Sequence, residues 1–191
     1  MPKIAIIIGT TREGRFGDKP AQWMFDLARA RETADYEMVD LRDFALPFFN
    51  ESAPPASVAP KDATAQRWGS KIAQFDAYIC VTAEYNRSVP AVLKNALDYV
   101  YPQFNRKPVA FVGYGGAGGA RAVEHLRLIL VELQAAPLRN AVHIGRAEFL
   151  GLLQQGKTFG DYPHLEQSAN LLLDDLLWWT NTLKAGRQAS S

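Results

Sequence analysis

Short, β-branched apolar runs alternate along the chain with longer stretches whose apolar residues recur every three or four positions. The first run, Lys3 to Ile8, is continuous rather than alternating, as expected of a strand covered on both faces. Four more strands are read at Tyr36 to Leu41, Ala77 to Thr82, Pro108 to Gly113 and Asn140 to Gly145. Between them Ala21, Met24, Phe25 and Ala28 form one helical stripe and Val123, Leu126, Leu130 and Leu133 another. A last helix carries Ala169, Leu172, Leu176, Trp179 and Leu183 on one face. Five strands and five helices fill the chain, and their alternation predicts an α/β fold, a parallel sheet with helices on both faces. Pro47, Pro54, Pro55 and Pro60 mark a long irregular loop after the second strand, and Gly151 to Pro163 reads as a second one. Residues 1–185 are expected to form a single domain, with 186–191 as a frayed tail.

Composition narrows the classes of function. The 191 residues are 48% hydrophobic and 21% charged, with 21 Lys+Arg against 20 Asp+Glu, the balance of a globular protein without a global field. That balance argues against nucleic-acid and membrane-surface partners. The one cysteine, Cys80, lies in an apolar run and reads as a buried, inert thiol that needs no oxidising compartment. The first apolar run is far too short for a signal-peptide core or a membrane span of roughly 20 residues, so a cytoplasmic protein is expected. His125, His143 and His164 are scattered without ligand spacing, so no metal site is expected, and no G-x-S-x-G elbow is present. Trp178 and Trp179 are expected to pack, at least one of them, against the core or a partner subunit.

In an open parallel sheet, ligands bind beyond the carboxyl ends of the strands, which directs attention to the loops after strands one, three and four. The first loop, Gly9-Thr10-Thr11-Arg12-Glu13-Gly14-Arg15-Phe16-Gly17-Asp18, runs directly into a helix. Its hydroxyls, guanidinium groups and flexible backbone at a helix N-terminus suit a phosphate dianion, whereas an ordinary turn would pair the arginines with Glu13 and Asp18. The second loop, Ala83 to Pro90, offers Tyr85 as aromatic cover for a planar ring and a run of amides for its edge. Asn86 and Ser88 could equally cap the next helix, and Glu84 is more readily a solvated group or an ion-pair partner than a general base.

Two formal motifs carry little. Gly113, Gly115 and Gly118 match G-x-G-x-x-G, but only one strand follows, and Glu132, at the distance of a ribose-binding acid, falls within a helix. The glycines instead let backbone approach a flat ligand held by the other two loops. Gly151 to Thr158 matches G-x-x-x-x-G-K-[ST] but lacks the strand before it and the helix after it that give the motif its mechanics.

Taken together, the three loops resemble those of the NADPH-dependent FMN reductase family, a flavodoxin-like group that includes quinone, azo-dye and chromate reductases. The likeness spans nearly the whole chain and is strongest at Glu84-Tyr85-Asn86, Pro90 and Leu93-Lys94-Asn95-Ala96-Leu97-Asp98. It continues in Gly9-Thr10-Thr11-Arg12 with Arg15 and Gly17, and in the glycines from Gly115 to Gly119. The resemblance implies a three-layer flavodoxin-like sandwich with a five-stranded sheet in the order 2-1-3-4-5. It implies that Thr10, Arg12, Arg15, Phe16 and Gly17 hold the FMN phosphate. Ala83, Glu84, Tyr85, Asn86 and Ser88 would contact the flavin ring or ribityl chain, with Gly115 and Gly116 approaching from the third loop. Many members have serine at the position of Thr10, a serine-x-asparagine where this chain has Arg15-Phe16-Gly17, and proline at the position of Ala83. These departures shift the phosphate contacts toward arginine and main chain.

On this resemblance the chain passes hydride from NADPH or NADH through bound FMN to a small acceptor such as a quinone, flavin, azo compound or metal oxyanion, by a ping-pong mechanism. No side-chain acid or base is required, because the flavin carries the chemistry. A homodimer or dimer of dimers is also implied, with Phe48, Phe49, Tyr99, Tyr101 and Phe104 as aromatic groups near the site that belong to an interface or to the core. The competing readings are a flavodoxin-type electron carrier, which resembles strongly acidic proteins unlike this near-neutral chain, and a flavin-free module on the same fold.

Overall fold

The computed structural model describes residues 1–189. Strands β1 (Lys3–Ile8), β2 (Asp35–Asp40), β3 (Ala77–Ala83), β4 (Pro108–Tyr114) and β5 (Ala136–Ile144) form one parallel sheet in the order β2-β1-β3-β4-β5. Helices α1 (Asp18–Arg29), α2 (Ala63–Ala73), α3 (Ala91–Asp98), α4 (Ala120–Glu132), α5 (Arg146–Gln154) and α6 (Pro163–Ala189) complete the described chain with two short 3-10 turns. This is the flavodoxin-like arrangement.

The continuous apolar runs explain the layering. Because successive strand side chains point to opposite faces, Ala5 and Ile7 of β1 enter one core while Ile4, Ile6 and Ile8 enter the other. The first core is closed by Trp68 and Ile72 of α2, Leu93 and Leu97 of α3, and Leu126 of α4. The second is closed by Ala21 and Met24 of α1 and by Ala169, Leu172 and Leu176 of α6. Every residue of β3 and β4 is buried, whereas the edge strand β2 buries only Val39. A one-residue slip of an inner strand would move each isoleucine into the wrong layer, so both cores fix the register.

Besides shifted strand ends, the largest at β5, which begins at Ala136 rather than Asn140, three features differ from the sequence reading. Residues up to Gln154 of the stretch read as irregular are helical, so the described chain has six helices rather than five. The last helix continues to Ala189 instead of fraying from residue 186, because its end is tied down. Lys184 Nζ and Arg187 Nη2 donate to Asp76 at 2.8 and 3.1 Å, and Arg187 Nη1 donates to the carbonyl of Arg106 at 2.7 Å. Ser190 and Ser191 of the expected tail lie outside the described residues. The stripe on α6 also leaves the core before its end: Trp178 and Trp179 are 61% and 39% exposed and meet edge to face at 5.3 Å.

Candidate functional site

The loops after β1, β3 and β4 rise from adjacent inner strands at one edge of the sheet, and side chains and backbone tie them together. Tyr114, the last residue of β4, places its hydroxyl 3.3 Å from that of Thr10 at the end of β1. The amide of Glu84, just past β3, donates to the carbonyl of Tyr114 at 3.2 Å. Burial pushes the Tyr114 phenol up to about 12, so it stays a neutral hydrogen-bonding group.

Within the first loop, the backbone bonds are Gly9 N to Val81 O and Arg15 N to Arg12 O. Among the described residues, the amides of residues 10–14, 16 and 17 donate to no protein acceptor. Such a run of unpartnered donors at the start of α1 is the chemistry an anion requires. Gly17 permits the closeness: a Cβ there would lie 2.8 Å from the Tyr114 hydroxyl and 3.0 Å from that of Thr10.

The two arginines of this loop have different surroundings. Arg12 is exposed, whereas Arg15 is buried and its five N–H donors all reach protein acceptors, namely Asp18, Asp40 and the carbonyl of Thr10. The hydrogen bond to Asp40 is the first cause of a raised Arg15 pKa, so the pair is firmly ionised. No donor of Arg15 is left for a ligand, and the ordinary-turn pairing with Asp18 holds for this residue. Phe16 is likewise interior, its ring 5.1 Å from Tyr114 and 4.7 Å from Phe149. Arg42 donates to the carbonyls of Thr11 and Arg12 at 3.3 and 2.5 Å, gripping the loop from the segment after β2.

The second loop is a two-residue turn closed by reciprocal bonds between Tyr85 and Ser88 at 2.9 and 3.0 Å. Asn86 and Arg87 both occupy the left-handed region, with φ of 49° and 69°, as a hairpin turn of this type demands. For Arg87 that conformation costs about 1 kcal/mol, offset by the reciprocal bonds. The amides of Asn86, Arg87, Gly116 and Ala117 donate to no protein acceptor among the described residues. Tyr85 is 38% exposed beside them. Ser88 does not cap α3, whose N-cap is Pro90 without a side-chain bond; its hydroxyl lies 3.0 Å from Nδ1 of His125 on α4. Ala83 is buried at the end of β3, its methyl in the core.

Glu84 is not a free base. Its carboxylate is 5% exposed and accepts from Arg121 Nε at 2.6 Å and from the Arg121 amide at 3.1 Å. Burial alone would raise its pKa, but the hydrogen bonds from Arg121 outweigh it and hold the carboxyl below its usual range. In the third loop, Gly115 has φ of 140°, a conformation open only to glycine, and a Cβ on Gly116 would meet nothing within 4 Å. These positions leave the third loop free of side chains beside Glu84, an open surface that a planar ring fits.

A cavity of about 470 Å³ lined by Ser88, Val89, Lys94, His125 and Leu128 flanks the second loop. A larger one, about 610 Å³, lies against Asp18 and the stacked rings of Trp23 and Phe159, and no residue of the second or third loop lines it. The loop junction, with its unpartnered amides, is the better candidate for the chemistry. Among the described residues no cluster of His, Cys, Asp or Glu could hold a metal ion, and no helix is long and apolar enough to cross a membrane.

Asp40, Arg42, Tyr114 and Arg121 were not anticipated from sequence. Asp40 and Tyr114 end strands and could be sought there; Arg42 and Arg121 carry no local signal.

Known proteins bear on this site. The sequence profile of the NADPH-dependent FMN reductase family matches residues 2–149. An NAD(P)H-dependent FMN reductase of Schizosaccharomyces pombe is 35% identical over 186 residues, covering 87% of this chain and 92% of the yeast protein. A quinone reductase of Pseudomonas putida is 34% identical over 137 residues, covering 68% and 70% respectively. The structure of a flavoenzyme NAD(P)H:(acceptor) oxidoreductase from Paracoccus denitrificans superposes with a TM-score of 0.71 at 22% identity, covering 95% of this chain and 98% of the other, a likeness of fold. With its profile matched across most of the chain and its loops assembled at one sheet edge, the chain belongs to the NADPH-dependent FMN reductase family and is an FMN-dependent NAD(P)H oxidoreductase.

Proposed function

We propose that the chain oxidises NADPH or NADH and reduces a small acceptor, a quinone, flavin, azo compound or metal oxyanion, with the two substrates using one site in turn. The observation that carries this reading is the run of unpartnered amides at residues 10–14, 16 and 17 beside exposed Arg12. These groups hold the FMN phosphate, and Thr10, buried under Tyr114, fixes the loop's start. Arg15 acts through the backbone, bracing the loop against Asp18 and Asp40, and Phe16 and Gly17 contribute through their amides.

When bound, FMN would supply the redox chemistry between the nicotinamide and the acceptor. The amides of Asn86, Arg87, Gly116 and Ala117 donate to the polar edge of the ring and stabilise negative charge that grows there. Ala83, Glu84 and Ser88 shape the second loop behind those amides. Tyr85 lies over the open side, where the nicotinamide and then the acceptor stack. One open face serving both substrates requires the oxidised dinucleotide to leave before the acceptor enters.

A homodimer and a cytoplasmic location belong to the same proposal. Phe48, Leu128 and Val131 are 83%, 67% and 59% exposed, apolar groups that an interface would cover, while Tyr99 and Phe104 are core and Phe49 packs on Tyr99.

The test is spectroscopic. The purified chain is expected to be yellow, to bleach on anaerobic mixing with NADPH or NADH, and to regain colour on adding a quinone. Colour without bleaching would identify an electron carrier, and a colourless chain that takes up no added FMN would overturn the reading.

A further inference from the structure

The side chain of Glu84 is 5% exposed; Glu84 precedes Tyr85 and Asn86 in the second loop and packs against Gly115 of the third, so it belongs to both loops assigned above to the flavin ring. A charge on a side chain so little exposed is weakly screened by solvent and acts on neighbouring groups of both loops. Yet the carboxylate is neither free nor isolated. Arg121, in the first turn of α4, meets it with both Nε and Nη2, and the amides of Arg121 and Ala122 also donate to it. The helix therefore presents its positive end to the acid as well as a guanidinium. On the opposite side, the amide of Glu84 is bonded to Tyr114, and a Cβ built on Gly115 would lie 3.6 Å from that of Glu84. The pair thus spans the gap between the two loops and fixes their separation.

We propose that Arg121 is a positioning residue of the redox site, acting through Glu84: it neutralises that carboxylate and so sets how readily bound flavin accepts negative charge. The inference rests on the FMN reading of the site. Reduction adds negative charge to the ring. A carboxylate left unpaired beside it opposes that gain, whereas an unpaired guanidinium favours it. With both present the pair is close to neutral, and the amides of the two loops govern the ring without interference. Arg121 is 42% exposed, so its side chain is in reach of solvent and is not a packing element whose loss unfolds the helix.

The consequence is a pattern of signs that a merely structural clasp would not produce. Arg121→Gln leaves the acid unpaired and is expected to weaken binding of reduced FMN relative to oxidised FMN by about tenfold, the low end of the one to three pK units typical of a close charge. For a two-electron couple, that tenfold change lowers the midpoint potential by about 30 mV. Glu84→Gln is expected to shift the ratio in the opposite direction, and the Glu84→Gln, Arg121→Gln double variant to return it to near the parent value. Arg121→Lys, which keeps the charge but loses the fork, is expected to stay close to the parent potential.

The measurement is a titration of the flavin-free chain and its variants with oxidised and with chemically reduced FMN, followed by tryptophan and flavin fluorescence. Opposite shifts in the two single variants with recovery in the double support the proposal. Shifts of the same sign in both, or none in either while FMN still binds, overturn it and leave the FMN reading intact. If the parent chain binds no FMN in either state, the reading and this inference fall together. Should Arg121→Gln prove unstable, Glu84→Gln and the double variant decide the question by themselves.

Discussion

The hydroxyls of Tyr114 and Thr10 approach to 3.3 Å although 104 residues separate them in the chain, and this contact joins the first loop to the third. Its geometry depends on Gly17, which leaves no atom where a Cβ would crowd both oxygens. Tyr114→Phe is expected to cost about 1 kcal/mol of stability, the worth of one neutral hydrogen bond, and to weaken FMN binding about fivefold. Gly17→Ala forces the buried ring or the loop to move and is expected to cost about 1 to 3 kcal/mol. Thermal unfolding and fluorescence titration with FMN check both, and an unchanged FMN affinity in Gly17→Ala would contradict the close fit.

Arg12 and Arg15 sit in one loop but are expected to fail differently. Arg12→Ala should reduce FMN affinity about tenfold or more, as for the loss of a charge-assisted bond of about 1.5 to 3 kcal/mol, while leaving unfolding of the flavin-free chain nearly unaltered. Arg15→Ala strands the carboxylates of Asp18 and Asp40 and should destabilise the flavin-free chain itself. Tyr85→Ala should alter the KM for dinucleotide or acceptor and spare FMN retention. Parallel measurements of flavin affinity and thermal unfolding separate the three roles.

Lys107, just before β4, is buried, its ammonium 3.1 Å from the Tyr78 hydroxyl and 3.4 Å from the Ala73 carbonyl. Burial draws its pKa from 10.5 down to about 8. Between those two values the unfolded chain binds the extra proton, so this group makes stability rise with pH across that window. Lys107→Met is expected to raise the unfolding midpoint at pH 7 and to flatten its slope above pH 8, because an apolar side chain of similar length carries no buried charge. Denaturant melts between about pH 7 and 10 test the sign; a variant with the parent's slope would refute it.

Asp76 also makes stability rise with pH, but in the acid range and as a group that stabilises the fold at neutral pH. Burial pushes its carboxyl up, but Lys184, the Lys3 amide and Arg187 together pull it below its ordinary 3.8. The stability this gives is complete above that ordinary value and is lost as pH falls through the lower folded one. Asp76→Asn is expected to cost about 1 to 3 kcal/mol at neutral pH and to fray the end of α6, seen as faster amide exchange confined to its last turns.

The fold was legible because β1, β3 and β4 are near-continuous apolar runs and the core helices carry clean stripes; the order of strands came with the family resemblance. The three loops were legible through their glycines, Tyr85 and Asn86. What escaped the sequence are contacts made across long separations. The end of α6 is held by Asp76, 111 positions from Arg187, so polar composition alone made it read as a tail. Arg15 resembles a ligand-binding residue until Asp40, from the next strand, consumes its donors. Arg121 looks like any solvated helix residue until the chain folds Glu84 against it.

The single thiol of the chain, Cys80, is wholly buried at the middle of β3, and burial pushes its pKa up to about 12. A protein that handles reducing equivalents exposes its own sulfur to whatever peroxide its acceptors release, and here that sulfur is protonated and walled off by neighbouring strands. Alkylating agents should therefore leave the folded protein's turnover untouched and label it only once it unfolds, which makes the thiol a built-in reporter of unfolding rather than a participant in electron transfer.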